Sequence, residues 1–177
     1  MNFNATFSIS DIIDLLSIIA ITIGGIFTLC KWNISMRIKR AEYIRNLIEV
    51  KNKELILKTF NLFDYNIEWY SRDFHRSNIE NEVDYTLTYF DYICYLNSTN
   101  IFDTKTFNLF KYQVDSIVRN QQVIDYMYNL YHYAKNNHMG LSYPYLLEYA
   151  AQKGYVNEDF YRIDSHKHNP RLHRYIF

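Results

Sequence analysis

The stretch Ile12–Cys30, IIDLLSIIAITIGGIFTLC, decides how the rest of the chain is read. No charged residue occurs between Leu15 and Cys30, and the apolar run stops abruptly at Lys31 and Trp32. About nineteen residues rising 1.5 Å each cover roughly 28 Å, enough to cross the hydrocarbon core of a bilayer. Asp14 lies close enough to the outer end to reach the headgroups. The pattern predicts a transmembrane helix over residues 12–32, with Trp32 where an interfacial anchor belongs.

The flanks orient this span. Asp11 and Asp14 precede it, whereas Lys31, Arg37, Lys39, Arg40 and Arg45 follow it. The positive-inside rule places residues 1–11 outside and residues 33–177 in the cytoplasm, so the chain is expected to be single-pass in the inner membrane. Residues Met1–Ser10 have neither the basic n-region nor the small-residue cleavage site of a signal peptide. Trp32, Arg37, Lys39 and Arg40 form the expected membrane-interface group. Basic side chains there either touch anionic headgroups, at about 1 kcal/mol each, or are a solvated face that fixes topology.

The span has two faces. At 100° per residue Asp14, Ser17, Ala20, Gly24, Thr28 and Lys31 fall within an arc of about 120°. Ala20, Gly24 and Thr28 repeat a small-xxx-small spacing that lets two backbones approach in lipid. Two readings follow: a plain anchor whose small residues are incidental, or a pore or subunit-contact stripe, because a polar stripe facing lipid is costly. A single-span chain encloses a channel only by assembling as a ring, so the second reading requires a homo-oligomer.

Beyond the span the pattern is helical throughout, and the expected fold class is all-α. Ile34, Ile38, Ala41, Ile44, Leu47 and Ile48 recur at helical spacing, with no Gly or Pro before Ser71. This predicts one long helix leaving the membrane, bent near Asn52 or Asn61. Ser71–Glu82 reads as a polar loop and Val83–Leu96 as a second helix with Leu87, Phe90, Tyr92, Ile93, Cys94 and Leu96 supplying apolar contacts. Asp103 or Thr104 can cap a third helix running to about Asn136, kinked near Asn120–Gln122. A short helix follows Ser142, with Pro144 in its first turn and Gly154 past its end.

Formal net charge is zero, which excludes a globally basic nucleic-acid binder or a strongly acidic chain. The charge is uneven: residues 31–60 hold eight Lys/Arg against three Asp/Glu, and residues 61–115 hold four against nine. Two cysteines, Cys30 and Cys94, make no disulfide framework and suit reduced thiols in a cytosolic compartment. Only four Gly and two Pro favour helices over a turn-rich β fold. Eighteen Tyr and twelve Phe imply many half-buried rings with hydroxyls reaching water or a partner. The excess of Tyr, Asn, Ile and Lys also fits an AT-rich genome.

Phosphate loops, zinc-spaced cysteine pairs, His-Glu-x-x-His helices and nucleophile elbows are absent from the sequence, and no cofactor is expected. The tail DFYRIDSHKHNPRLHRYIF holds half of the six histidines. His166, His168 and His173 with Asp164 offer metal ligands, but their spacing matches no common structural zinc site, so no metal is assigned. Arg162 and His168 fit the Arg-x(4–6)-His pattern of HEPN ribonucleases. There a His with near-neutral pKa moves protons at the ribose while an Arg holds the phosphate. A third reading is a basic tail that pairs with the acidic middle of the chain or with a neighbouring subunit.

One N-terminal span, a Tyr- and Asn-rich helical domain and a late Arg162-x5-His168 together resemble the small accessory proteins encoded beside type VI-B CRISPR effectors. The resemblance implies an all-α, HEPN-like domain and an antiviral role in which a ring-like homo-oligomeric pore perturbs the inner membrane. It implies self-association, the lipid bilayer and an RNA-guided CRISPR ribonuclease as partners, with direct RNA binding left open. It also implies that Arg162 and His168 hold the assembly together rather than cleave RNA, so the expectation leans away from an enzyme. Pro170, close behind the motif, departs from a nuclease pattern. The alternatives are a membrane-tethered HEPN-type ribonuclease and a membrane scaffold for a partner protein.

Overall fold

A computed structural model describes residues 9–71, 73–162 and 164. These residues are all-helical, with six α-helices, one short 3-10 turn and no strand among them. Contacts divide the chain into two units, Met1–Ile48 and Glu49–Phe177.

The first unit is almost entirely helix α1, Ile9–Lys51, whose last turn belongs to the second unit. Apart from Gly24 and Gly25 it contains no breaker, and the 43 residues run unbroken through the point where the hydropathy changes. It ends at Lys51, so the bend expected near Asn52 in one long helix is instead a break between two helices. Lys53 has extended ψ of 140° and opens α2, Glu54–Asp64.

The second unit is a bundle of α2, α3 (Asn78–Ser98), α4 (Thr104–Arg119), α5 (Gln121–Asn136) and α6 (Pro144–Gln152), followed by a 3-10 turn at Glu158–Tyr161. α3 is central, packing against α2, α4 and α6, and α4 also meets α2, α5 and α6. Val83, Leu87, Phe90 and Ile93 lie on one face of α3 at helical spacing, and all four are fully buried. Phe110, Val114, Ile117 and Val118 of α4 and Leu146 and Ala150 of α6 are buried to the same degree. Tyr92, expected inside, is exposed.

Two further boundaries differ from the expected pattern. α3 starts at Asn78 rather than near Val83, because Ser77 caps it by accepting a hydrogen bond from the Glu80 amide at 3.2 Å. The single long helix expected over 105–136 is two helices. Asn120 ends α4 and caps α5, with ψ of 121° and its side chain accepting from the Val123 amide at 3.1 Å. Its amide group donates to the Phe63 carbonyl at 2.9 Å, so this one residue also ties the junction to the end of α2.

α6 is capped from outside itself. Tyr143, at its N-terminus, is left-handed with φ of 51° and offers no side-chain cap. Asp91 of α3 accepts the Leu146 amide at 2.7 Å instead, and burial pushes its carboxyl above the ordinary value. Gly154, just past the helix, has φ of 76°, the left-handed turn that favours glycine.

Candidate functional site

The residues singled out on α1 share one face of a continuous helix. Asp14, Ser17, Ala20, Gly24, Thr28 and Lys31 are all exposed, as are Trp32, Arg37, Lys39 and Arg40. From Ile12 to Leu29, eleven large apolar side chains are 44–75% exposed. Leaving that surface in water costs on the order of 10 kcal/mol or more relative to burying it. The helix is therefore long and apolar enough to cross a membrane, and it uses none of its span to cover a core: its most apolar window has mean hydropathy 2.3 and is 0% buried.

Side-chain geometry refines the polar stripe. The Thr28 hydroxyl donates to the Gly24 carbonyl at 2.8 Å, and Thr22, on another face, donates to Ile18 at 2.8 Å. Both hydroxyls are satisfied by the preceding turn, so neither demands a polar partner in lipid. Lys31 folds back to place its ammonium 4.7 Å from the centre of the Phe27 ring. A Cβ at Gly24 or Gly25 would meet nothing within 4 Å, so no atom of the chain itself requires glycine at either position.

The second candidate pair is split by what is described. Arg162 follows the 3-10 turn in extended backbone, φ −95° and ψ 122°, rather than on a helix. Its carbonyl accepts from the Tyr128 hydroxyl at 3.1 Å, and His132 Nε2 donates to the Phe160 carbonyl at 2.8 Å, so α5 holds this segment by its backbone. The Arg162 side chain is 71% exposed and 3.6 Å from Asp159. His168 lies outside the described residues, as do His166 and His173. Among the described residues no three His, Cys, Asp or Glu side chains are grouped to hold a metal.

Buried polar networks carry chemistry that the apolar periodicity does not reveal. Asp84 accepts from both the Tyr126 and Tyr143 hydroxyls, each at 2.6 Å. Burial, the neighbouring phenol and then Asp84 push Tyr126 up, and burial followed by the Asp84 bond pushes Tyr143 up. His75 Nδ1 sits 3.0 Å from Glu80, whose other oxygen accepts from the Arg76 amide. Gln122 accepts from the Trp69 and Tyr70 amides at 2.8 and 2.9 Å and donates to Ile67 at 2.9 Å, pinning the loop between α2 and α3. The legible signals were Ser77-x-x-Glu80, a capping pattern, and the sheer number of tyrosines. These networks satisfy buried groups and stiffen the bundle. Comparison with protein-family models, characterised proteins and solved structures returns no match.

Proposed function

We propose that the protein is a single-pass inner-membrane protein, N-terminus outside and helical domain cytoplasmic. It works as a homo-oligomeric, pore-type accessory of antiviral RNA-targeting CRISPR defence, strengthening the effector by perturbing the bilayer. The observation that carries the reading is the apolar window of α1, none of which is buried. A soluble bundle would cover such a helix; here the apolar surface is left for lipid or for other copies. The excess of Lys and Arg immediately after it supports the orientation.

The test is made in cells carrying an RNA-guided ribonuclease and the full-length protein. Membrane potential is followed with a voltage-sensitive dye after the ribonuclease meets its target RNA. Depolarisation that needs both components is expected; normal polarisation in triggered cells overturns the pore reading. A second reading, a membrane-tethered HEPN-type ribonuclease, is favoured by the exposure of the Arg162 side chain on a backbone anchored to α5. It requires RNA cleavage by the purified protein that is lost in His168→Ala, and a folded but inert protein counts against it.

A further inference from the structure

We infer that one face of α3 and the first turn of α6 form a binding site for a small methylated ammonium ion of the choline type. The site uses no residue of α1 or of the Arg162 segment and does not rest on the membrane reading. Thr88, Asp91, Tyr92 and Tyr95 share one face of α3, at the three- and four-residue spacings of a helix. Tyr145 joins them from the start of α6. These five residues line an open cavity of about 460 Å³, ample for a cation of this size.

Core packing does not account for the three rings. Tyr92 is 43% exposed, and Tyr95 and Tyr145 are half-buried. Tyr95 stands between the other two. Its ring centre is 6.1 Å from that of Tyr92, with the planes 22° apart, and 4.9 Å from that of Tyr145, with the planes at 57°. Rings from two helices that meet at an angle make the walls of a cage rather than a flat platform for stacking. Each ring carries a negative face, which attracts a cation placed over it.

Asp91 fixes the sign of the ligand's charge. Its Oδ1 accepts the Leu146 amide at 2.7 Å. Burial holds the carboxyl above its ordinary value, and the backbone bonds from Leu146 and Tyr145 act against that shift. Among the described residues no Lys, Arg or His forms an ion pair with it. Its charge adds to the burial that pushes the Cys94 thiol up. A half-buried carboxylate beside three ring faces is completed by a cation from outside. The lining also selects which cation. A primary ammonium brings three donors and a guanidinium five, all needing acceptors once desolvated. Here one Asp91 oxygen is committed to α6 and the remaining wall is mainly ring carbon. A methylated ammonium brings few donors or none, so ring faces and one carboxylate suffice.

Isothermal titration calorimetry of the full-length protein in a maltoside detergent tests the site. The probes are choline, its uncharged tert-butyl analogue and ammonium chloride. Saturable choline binding is expected with Kd of about 1 mM, and the other two probes should bind about tenfold more weakly or not at all. Tyr92→Ala should weaken choline about tenfold and Asp91→Asn about fivefold. Tyr92 is the most exposed of the three rings, so its removal leaves the core intact. Asp91→Asn keeps an oxygen to accept the Leu146 amide, and an unchanged circular dichroism spectrum and unfolding midpoint confirm that α6 is still capped. No saturable heat with choline, equal binding of the uncharged analogue, or undiminished binding in the two folded variants overturns the site. Glycerophosphocholine separates the two sources of this cation. Binding tighter than choline's assigns the site to a lipid headgroup, binding no tighter assigns it to a free solute, and either supports the cage.

Discussion

Asp84 shows how single residues hold this bundle together. A carboxylate that accepts two buried phenols satisfies three polar groups at once. Asp84→Ala strands both hydroxyls and should destabilise the fold by about 2–4 kcal/mol. Tyr126→Phe removes one donor and leaves the Tyr143 bond, so it should cost only about 1 kcal/mol. Denaturant unfolding in mild detergent, followed by circular dichroism, separates these values. The same residues set a pH dependence. Both phenols are held above their ordinary value, chiefly by burial, so the folded protein keeps their protons to higher pH than the unfolded chain does. Their contribution is whole below about pH 10 and declines as pH rises beyond it, because the unfolded chain then releases protons that the native state retains. Tyr126→Phe should show a shallower alkaline loss of stability than the parent, and an identical slope would argue against this assignment.

At the scale of elements, the junction at Asn120 makes a sharp prediction. Asn120→Ala removes the cap of α5 and leaves the buried Phe63 carbonyl without that donor. A loss of about 1–3 kcal/mol is expected, with helix content nearly unchanged because α4 and α5 are held by packing. Asn120→Asp keeps the cap but not the donor and should fall between the two; a neutral Asn120→Ala would mean that the junction is set by packing alone. This junction also marks the limit of what could be read from sequence. Apolar spacing carried the helical character of each segment and nearly all of the α3 face, because burial follows the 3.6-residue period whatever the partner. A single polar residue with extended ψ barely disturbs that period, so two helices looked like one. The start of α3 was obscured for the opposite reason: Asn78–Glu82 is polar, and only the Ser77–Glu80 cap marks it as helical. The stripe on α1 was legible from composition. That Thr28 satisfies itself within the helix is a matter of rotamer, to which residue spacing is blind.

For the whole molecule, the chain divides at Ile48 and Glu49 into two units whose apolar side chains differ in exposure. Nearly every buried apolar side chain belongs to the second unit, from Ile56 to Phe160. The first unit displays its apolar surface outward. A fragment beginning at Glu49 keeps Lys51, whose ammonium donates to the Leu109 carbonyl at 3.1 Å and lies 5.4 Å from the centre of the Phe110 ring. It therefore retains both the core and the last-turn contact of α1 with α4. A domain of this size with a continuous core folds cooperatively on its own, and without the span it has no reason to enter detergent or lipid. The expected outcome is a helical fragment, soluble without detergent, with a single unfolding transition and the mass of one chain in sedimentation. If self-association lives in α1, the full-length protein in detergent is a larger assembly under the same conditions while the fragment stays monomeric. A fragment that oligomerises as strongly as the parent would move the assembly contact into the bundle and leave α1 as an anchor alone.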